Sequence, residues 1–83
     1  MDDTKVVNAE EFEREYVSGV VKDVAGILEE KGYNPVNQIA GYLISGDPGY
    51  ISNHKEARNK ITEFDRTKIL EILLEEFLNK WDI

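Results

Sequence analysis

The stretch Lys31–Ile61, KGYNPVNQIAGYLISGDPGYISNHKEARNKI, decides the fold. It holds four of the six glycines and both prolines, and so sets where helices stop and restart. Gly32 follows a long apolar-periodic segment and is expected to end it as a left-handed C′ residue, with Tyr33 folding back over the last turn. Asn34-Pro35 restarts the chain at once: the asparagine caps, and the proline takes the first helical position, where its missing N–H costs nothing. The second helix is then expected to bury Val36, Ile39, Ala40, Leu43 and Ile44, with Gly41 beside them where a neighbouring helix can approach. Asn37 and Gln38 read as first-turn polar residues bonded to nearby backbone or water. Ser45-Gly46-Asp47-Pro48-Gly49 is a compact stop and turn, with Tyr50 and Ile51 plugging the core beneath it. A short third helix is expected from Ser52 or Asn53 to Ile61, Asn53 and Glu56 standing at capping-box distance.

Outward from this stretch the pattern is helical on both sides. Upstream, Asn8 caps and Glu11 answers three residues on, and Phe12, Tyr16, Val17, Val20, Val21, Val24, Ile27 and Leu28 then recur at helical spacing. Gly19 and Gly26 each cost about 1 kcal/mol relative to alanine, which suits a close backbone approach at those points. Downstream, Thr62 with Asp65, or Asp65 itself, caps a final helix that carries Ile69, Leu70, Ile72, Leu73, Leu74, Phe77, Leu78 and Trp81. Its apolar stripe, 69–73–77–81 with 70–74–78, is broader than one small neighbour covers, and Ile72 lies to another side. The economical use of that surface is a homodimer through Ile69, Leu70, Leu73, Leu74, Phe77, Leu78 and Trp81. The expectation is an all-α fold: a compact bundle of about four helices over residues 8–83, preceded by a mobile N-terminal tail over residues 1–7.

Composition narrows the function classes. The chain has 83 residues and no cysteine, which removes disulfides, thiolate nucleophiles and thiolate metal sites. A single histidine, His54, cannot build a cluster, so neither a metal nor a cofactor is expected. No apolar run approaches the roughly 18 residues of a membrane span, and Asp2 and Asp3 stand where a signal peptide would be basic, so the chain reads as cytoplasmic with no membrane insertion. At 83 residues the chain stands just above the roughly 70–80 below which one core rarely supplies more than ~3–5 kcal/mol, so its core is small and association with a partner is favoured. The net charge is −7 with a pI near 4.6, and residues 1–30 hold nine acidic against three basic side chains. That balance argues against a general nucleic-acid partner.

No catalytic constellation can be assembled from these residues, and the chain reads as a non-enzyme. Glu71 and Glu75 at i,i+4 are exposed neighbours on a helix rather than a working acid and base. The glycine-rich turn at 45–49 has no preceding strand and shows neither GxxxxGK[ST] nor GxGxxG, so it is not a phosphate loop. One alternative is a DNA-binding regulator, because helices 2 and 3 with their turn have a helix-turn-helix outline and helix 3 carries Lys55, Arg58 and Lys60. Against it stand a turn longer than the usual three or four residues and the acidity of the whole chain. Thr4 lies in the N-terminal tail and, from the residues alone, reads first as an inert solvated side chain; the alternative is a modification site, since an accessible extended segment suits a kinase cleft.

The run from Glu30 to Ile61 also resembles the signature block of the IreB family, small regulatory proteins of Gram-positive Firmicutes. The resemblance is carried by GYNP at 32–35, NQI at 37–39, GYL at 41–43, SGDP at 45–48, Tyr50-Ile51, His54-Lys55 and Ala57-Arg58-Asn59, and it extends through Arg66 into the last helix. It implies a cytoplasmic helical homodimer that is a substrate of a transmembrane Ser/Thr kinase with extracellular PASTA repeats. The pathway implied governs cell-envelope stress and cephalosporin resistance, with a downstream protein partner that the resemblance does not name. The family's phosphoacceptor threonines lie in the tail, one in a D-x-T context, and Asp2-Asp3-Thr4 fits it, so Thr4 is the phosphorylation site implied. Departures are Val7 where an aromatic is usual, Thr67-Lys68 where an acidic pair is usual, and Gly49 where alanine is common.

Overall fold

The computed structural model describes residues 9–81, with side chains to residue 79. The described chain is all-α, without a strand. Helix α1 spans Ala9–Glu30, α2 Pro35–Ser45, α3 Ala57–Ile61 and α4 Arg66–Trp81, with 3-10 turns at Pro48–Tyr50 and His54–Glu56. The longest helix, α1, is the spine, and α2, α3 and α4 each pack on it. Its inward line is Val17, Val21, Val24, Ile27 and Leu28, which meets Ile39, Leu43, Ile51, Ile61, Ile69 and Ile72 in one core. Phe12 and Tyr16, expected on the same stripe, are instead 63% and 55% exposed, and Tyr16 meets Phe64 edge-on at 5.8 Å. Neither Gly19 nor Gly26 has anything within 4 Å of where a Cβ would stand, so no backbone approaches there.

The punctuation read from residues 31–49 is built as local chemistry demands. Gly32 is left-handed (φ 91°) and its N–H donates to Glu29 O, while Tyr33 N–H donates to Leu28 O; together these are the two bonds of a Schellman stop. Asn34 Oδ1 accepts from Asn37 N–H at 3.1 Å, with Pro35 at the first helical position. Gly46 (φ 78°) donates to Tyr42 O, and Asp47 Oδ1 then accepts from Gly49 N–H at 2.9 Å to start the next turn. Two long-range bonds that the sequence does not announce tie this loop down. Gln38 Oε1 accepts from Ser52 N–H, 14 residues on, and Arg66 Nη1 donates to Leu43 O at 3.0 Å.

The Arg66 guanidinium lies 2.8 Å from where a Gly46 Cβ would sit. Gly46→Ala therefore meets two penalties: a left-handed alanine, costing about 1–2 kcal/mol, and displacement of the arginine that caps α2. We expect a melting temperature lower by at least about 4–8 °C, read by circular dichroism, since ~1 kcal/mol moves a domain of this size by that much. An unchanged melting temperature would refute the contact.

Three expectations about faces are corrected. On α2 the buried residues are Ile39, Tyr42 and Leu43, whereas Val36 and Ile44 are 73% and 84% exposed and Ala40 is exposed too. What approaches Gly41 is not a helix but the Tyr50 ring, 2.5 Å from an ideal Cβ position. Ile51 does plug the core, but Tyr50 is half in water. The third helix does not start at Asn53, which makes no side-chain cap bond. Lys55 (φ 50°, ψ 37°) and Glu56 (φ 66°, ψ 21°) are both left-handed, so the chain kinks and α3 proper has five residues. Thr62 Oγ1 donates to Arg58 O at the end of α3, leaving Asp65 to cap α4 through Thr67 N–H.

Candidate functional site

The described surface offers three features: the outer face of α4, the polar band between α4 and α1, and the basic side chains around α3. On α4 the last buried residue is Ile72, and none of the described side chains from Leu73 onward is buried. Ile69 and Ile72 face the core at 0% and 3% exposure. Ile69 was expected on the contact face and Ile72 apart from it; both belong to the chain's own core. The outward residues are Leu70, Leu73, Leu74, Phe77 and Leu78, at 43%, 36%, 58%, 61% and 57% exposure. Positions 70, 74, 77 and 81 follow one another at spacings of four, three and four, the register of a coiled-coil seam, with 73 and 78 flanking it. The Trp81 side chain lies outside the described residues.

Such a row of large exposed apolar side chains is what a soluble domain covers by association. Full burial of each is worth about 1.5–3 kcal/mol. Among the described residues these side chains stay largely exposed. Toward α1, α4 instead makes polar contacts, Lys68 with Glu13 at 3.8 Å and Arg14 with Glu75 at 3.7 Å, while Lys68 also meets Glu71 of its own helix at 3.9 Å. At these exposures each pair contributes at most about 1 kcal/mol, so α4 is held chiefly by Ile69 and Ile72.

The basic residues of the expected DNA-reading helix are occupied elsewhere. Arg58 Nε donates to Pro48 O at 3.1 Å and Ile51 O at 2.9 Å, locking the loop that precedes α3. Lys55 pairs with Glu30 and Lys60 with Asp23, at 3.0 Å and 2.9 Å. With five helical residues behind a kink, α3 is too short to serve as a recognition helix, and the helix-turn-helix outline does not hold. Arg58 and Arg66 are functional in another sense: each closes backbone carbonyls that a turn or helix end leaves open. Sequence reasoning missed these roles because the acceptors lie 7 to 23 residues away.

Among the described residues no group of His, Cys, Asp and Glu converges as a metal site would, and no helix is long and apolar enough to cross a membrane. Thr4 lies outside the described residues. The other two threonines are placed: Thr62 is half-buried with its hydroxyl bonded to Arg58 O, and Thr67 is exposed in the first turn of α4.

Against known families, residues 2–79 match the family model described as IreB regulatory phosphoprotein. The match covers nearly the whole chain, including the tail threonine, the turn-rich block and most of α4. The chain therefore belongs to the IreB family of regulatory phosphoproteins.

Proposed function

We propose that this chain is a cytoplasmic regulatory protein that works by binding and has no catalytic activity of its own. Its control point is Thr4, phosphorylated by a transmembrane PASTA-type Ser/Thr kinase, and its output modulates the cell-envelope stress response and cephalosporin resistance through a downstream protein. It acts as a homodimer joined through the outer face of α4, at Leu70, Leu73, Leu74, Phe77, Leu78 and Trp81. Residues 8–83 form the single helical domain, and residues 1–7 the tail that the kinase reads.

The observation that carries this reading is the near-complete match to a regulatory phosphoprotein family, extending to residue 2. Chemistry supports Thr4 over its alternatives. A kinase needs its acceptor hydroxyl free and the chain around it extended, whereas Thr62 spends its hydroxyl on a helix carbonyl and Thr67 is held within α4. The dimer is supported by the exposed seam, in a chain small enough for its own core to be marginal.

Phosphorylation with a PASTA-type kinase, followed by mass-spectrometric site mapping, tests the assignment. Label is expected on Thr4, to be lost in Thr4→Ala and kept in Thr67→Ala. Undiminished labelling of Thr4→Ala would remove the site.

A further inference from the structure

Between α1 and the kinked segment leading into α3 lies an open cleft of about 440 Å³, lined by Lys22, Asp23, Gly26, Ile27, Glu30, Lys55 and Lys60. Three of the chain's ten basic side chains meet there, in a protein whose net charge is −7. Lys55 and Lys60 are paired with Glu30 and Asp23, but the Lys22 ammonium has no hydrogen-bonding or ionic partner among the described residues. Gly26 leaves the floor open, with nothing within 4 Å of its absent Cβ. The left-handed pair Lys55-Glu56 makes the kink that brings this segment against α1. Locally the cleft carries three ammonium groups against two carboxylates, an excess of positive charge beside an open space of ligand size.

We propose that this cleft receives the phosphorylated N-terminal tail of the same chain, with the Thr4 phosphate seated between Lys22 and Lys60. The inference rests on Thr4 being the phosphoacceptor, as proposed above. Charge favours it: a phosphothreonine carries about −1.5 to −2 and three acceptor oxygens, and here it follows Asp2 and Asp3. The Lys60–Asp23 pair it must displace is partly exposed and contributes at most about 1 kcal/mol. Charge-assisted bonds from two lysines to one phosphate outweigh that loss.

Reach decides which lysines take part. Thr4 is five residues ahead of Ala9, where α1 starts, and five extended residues span at most about 17 Å. Lys22 is 13 residues along α1, about 20 Å of helix, and Lys60 is held at Asp23, one residue further. The lysine and phosphothreonine side chains cover the difference. Lys55 sits opposite Glu30, about 32 Å along the helix and beyond reach. The path also has room: positions 12, 19 and 26, seven apart, fall nearly on one line of the helix. Phe12 on that line is 63% exposed, a surface for Val6 and Val7, and nothing stands over Gly19.

The test uses the full chain with phosphothreonine installed at position 4 by peptide ligation, so that it does not depend on any kinase. In ¹H–¹⁵N spectra the Gly26, Asp23 and Lys60 amides are expected to shift relative to the unphosphorylated chain. The shifts are expected to vanish in Lys22→Gln/Lys60→Gln and to persist in Lys55→Gln. Unmoved Gly26 and Asp23 amides in the phosphorylated chain overturn the proposal, as does loss of the shifts in Lys55→Gln alone. Kinase labelling of Thr4 stands or falls separately, by the site mapping above.

Discussion

If the proposed homodimer forms through α4, Leu74→Glu combined with Phe77→Glu is expected to take the scattering mass from about twice 9.5 kDa to 9.5 kDa, with the helical circular dichroism intact. The two positions follow each other on the seam, 58% and 61% exposed, so neither supports the chain's own core. In a symmetric pair the change removes four apolar side chains, each worth about 1.5–3 kcal/mol when buried. It also sets four carboxylates into the same contact, where a buried, unpaired charge is far costlier than a lost methyl. Dissociation at micromolar concentration follows. A wild-type protein already monomeric at high concentration would overturn the dimer, and a dimeric double variant would move the interface off α4.

The second large effect lies at the other end of the burial scale. Leu28→Ala is expected to lower the unfolding free energy by about 2–5 kcal/mol, measured by urea titration at fixed protein concentration. Leu28 is fully buried at the C-terminal end of α1, where its carbonyl also accepts the Tyr33 N–H that closes the helix. A chain of this size has about 4–12 kcal/mol in total, so the variant is expected to stand near its folding threshold at 37 °C. The protein concentration must be held constant because dimerisation would add to the apparent stability. A loss below about 1 kcal/mol would mean that α1 does not pack on its neighbours as described.

The local signals at residues 32–46 were legible and held, whereas the Asn53–Glu56 capping pair did not. Asn34-Pro35, Gly32 and Gly46 act within four or five residues, through φ limits and cap bonds that no distant contact overrides. Asp65 was legible as a cap for the same reason. The kink at Lys55-Glu56 was not, because nothing in two ordinary L-residues announces left-handed backbone. It depends on the burial of Ala57 and on Lys55 and Lys60 bonding to carboxylates of α1. The candidate site divided the same way: an oversized apolar face on α4 could be read from spacing, but the cleft lined by Lys22 and Lys60 joins residues 38 positions apart.

By itself, then, the sequence determined how many helices form, where α1 ends, where α2 begins and ends, and that α4 carries more apolar surface than one neighbour can cover. It also carried the family resemblance, since the block from Glu30 to Ile61 is contiguous. Only the tertiary structure decided which edge of each broad face turns inward: Tyr42 rather than Val36 and Ile44 on α2, and Ile69 with Ile72 rather than Leu70, Leu74 and Phe77 on α4. The physical reason is that helical periodicity ranks faces by polarity, and where apolar residues occupy most of the circumference the ranking is degenerate. The degeneracy is broken by what stands opposite. Here that is α1, whose packing places Ile69 and Ile72 in the core and leaves the 70–74–77 seam outside.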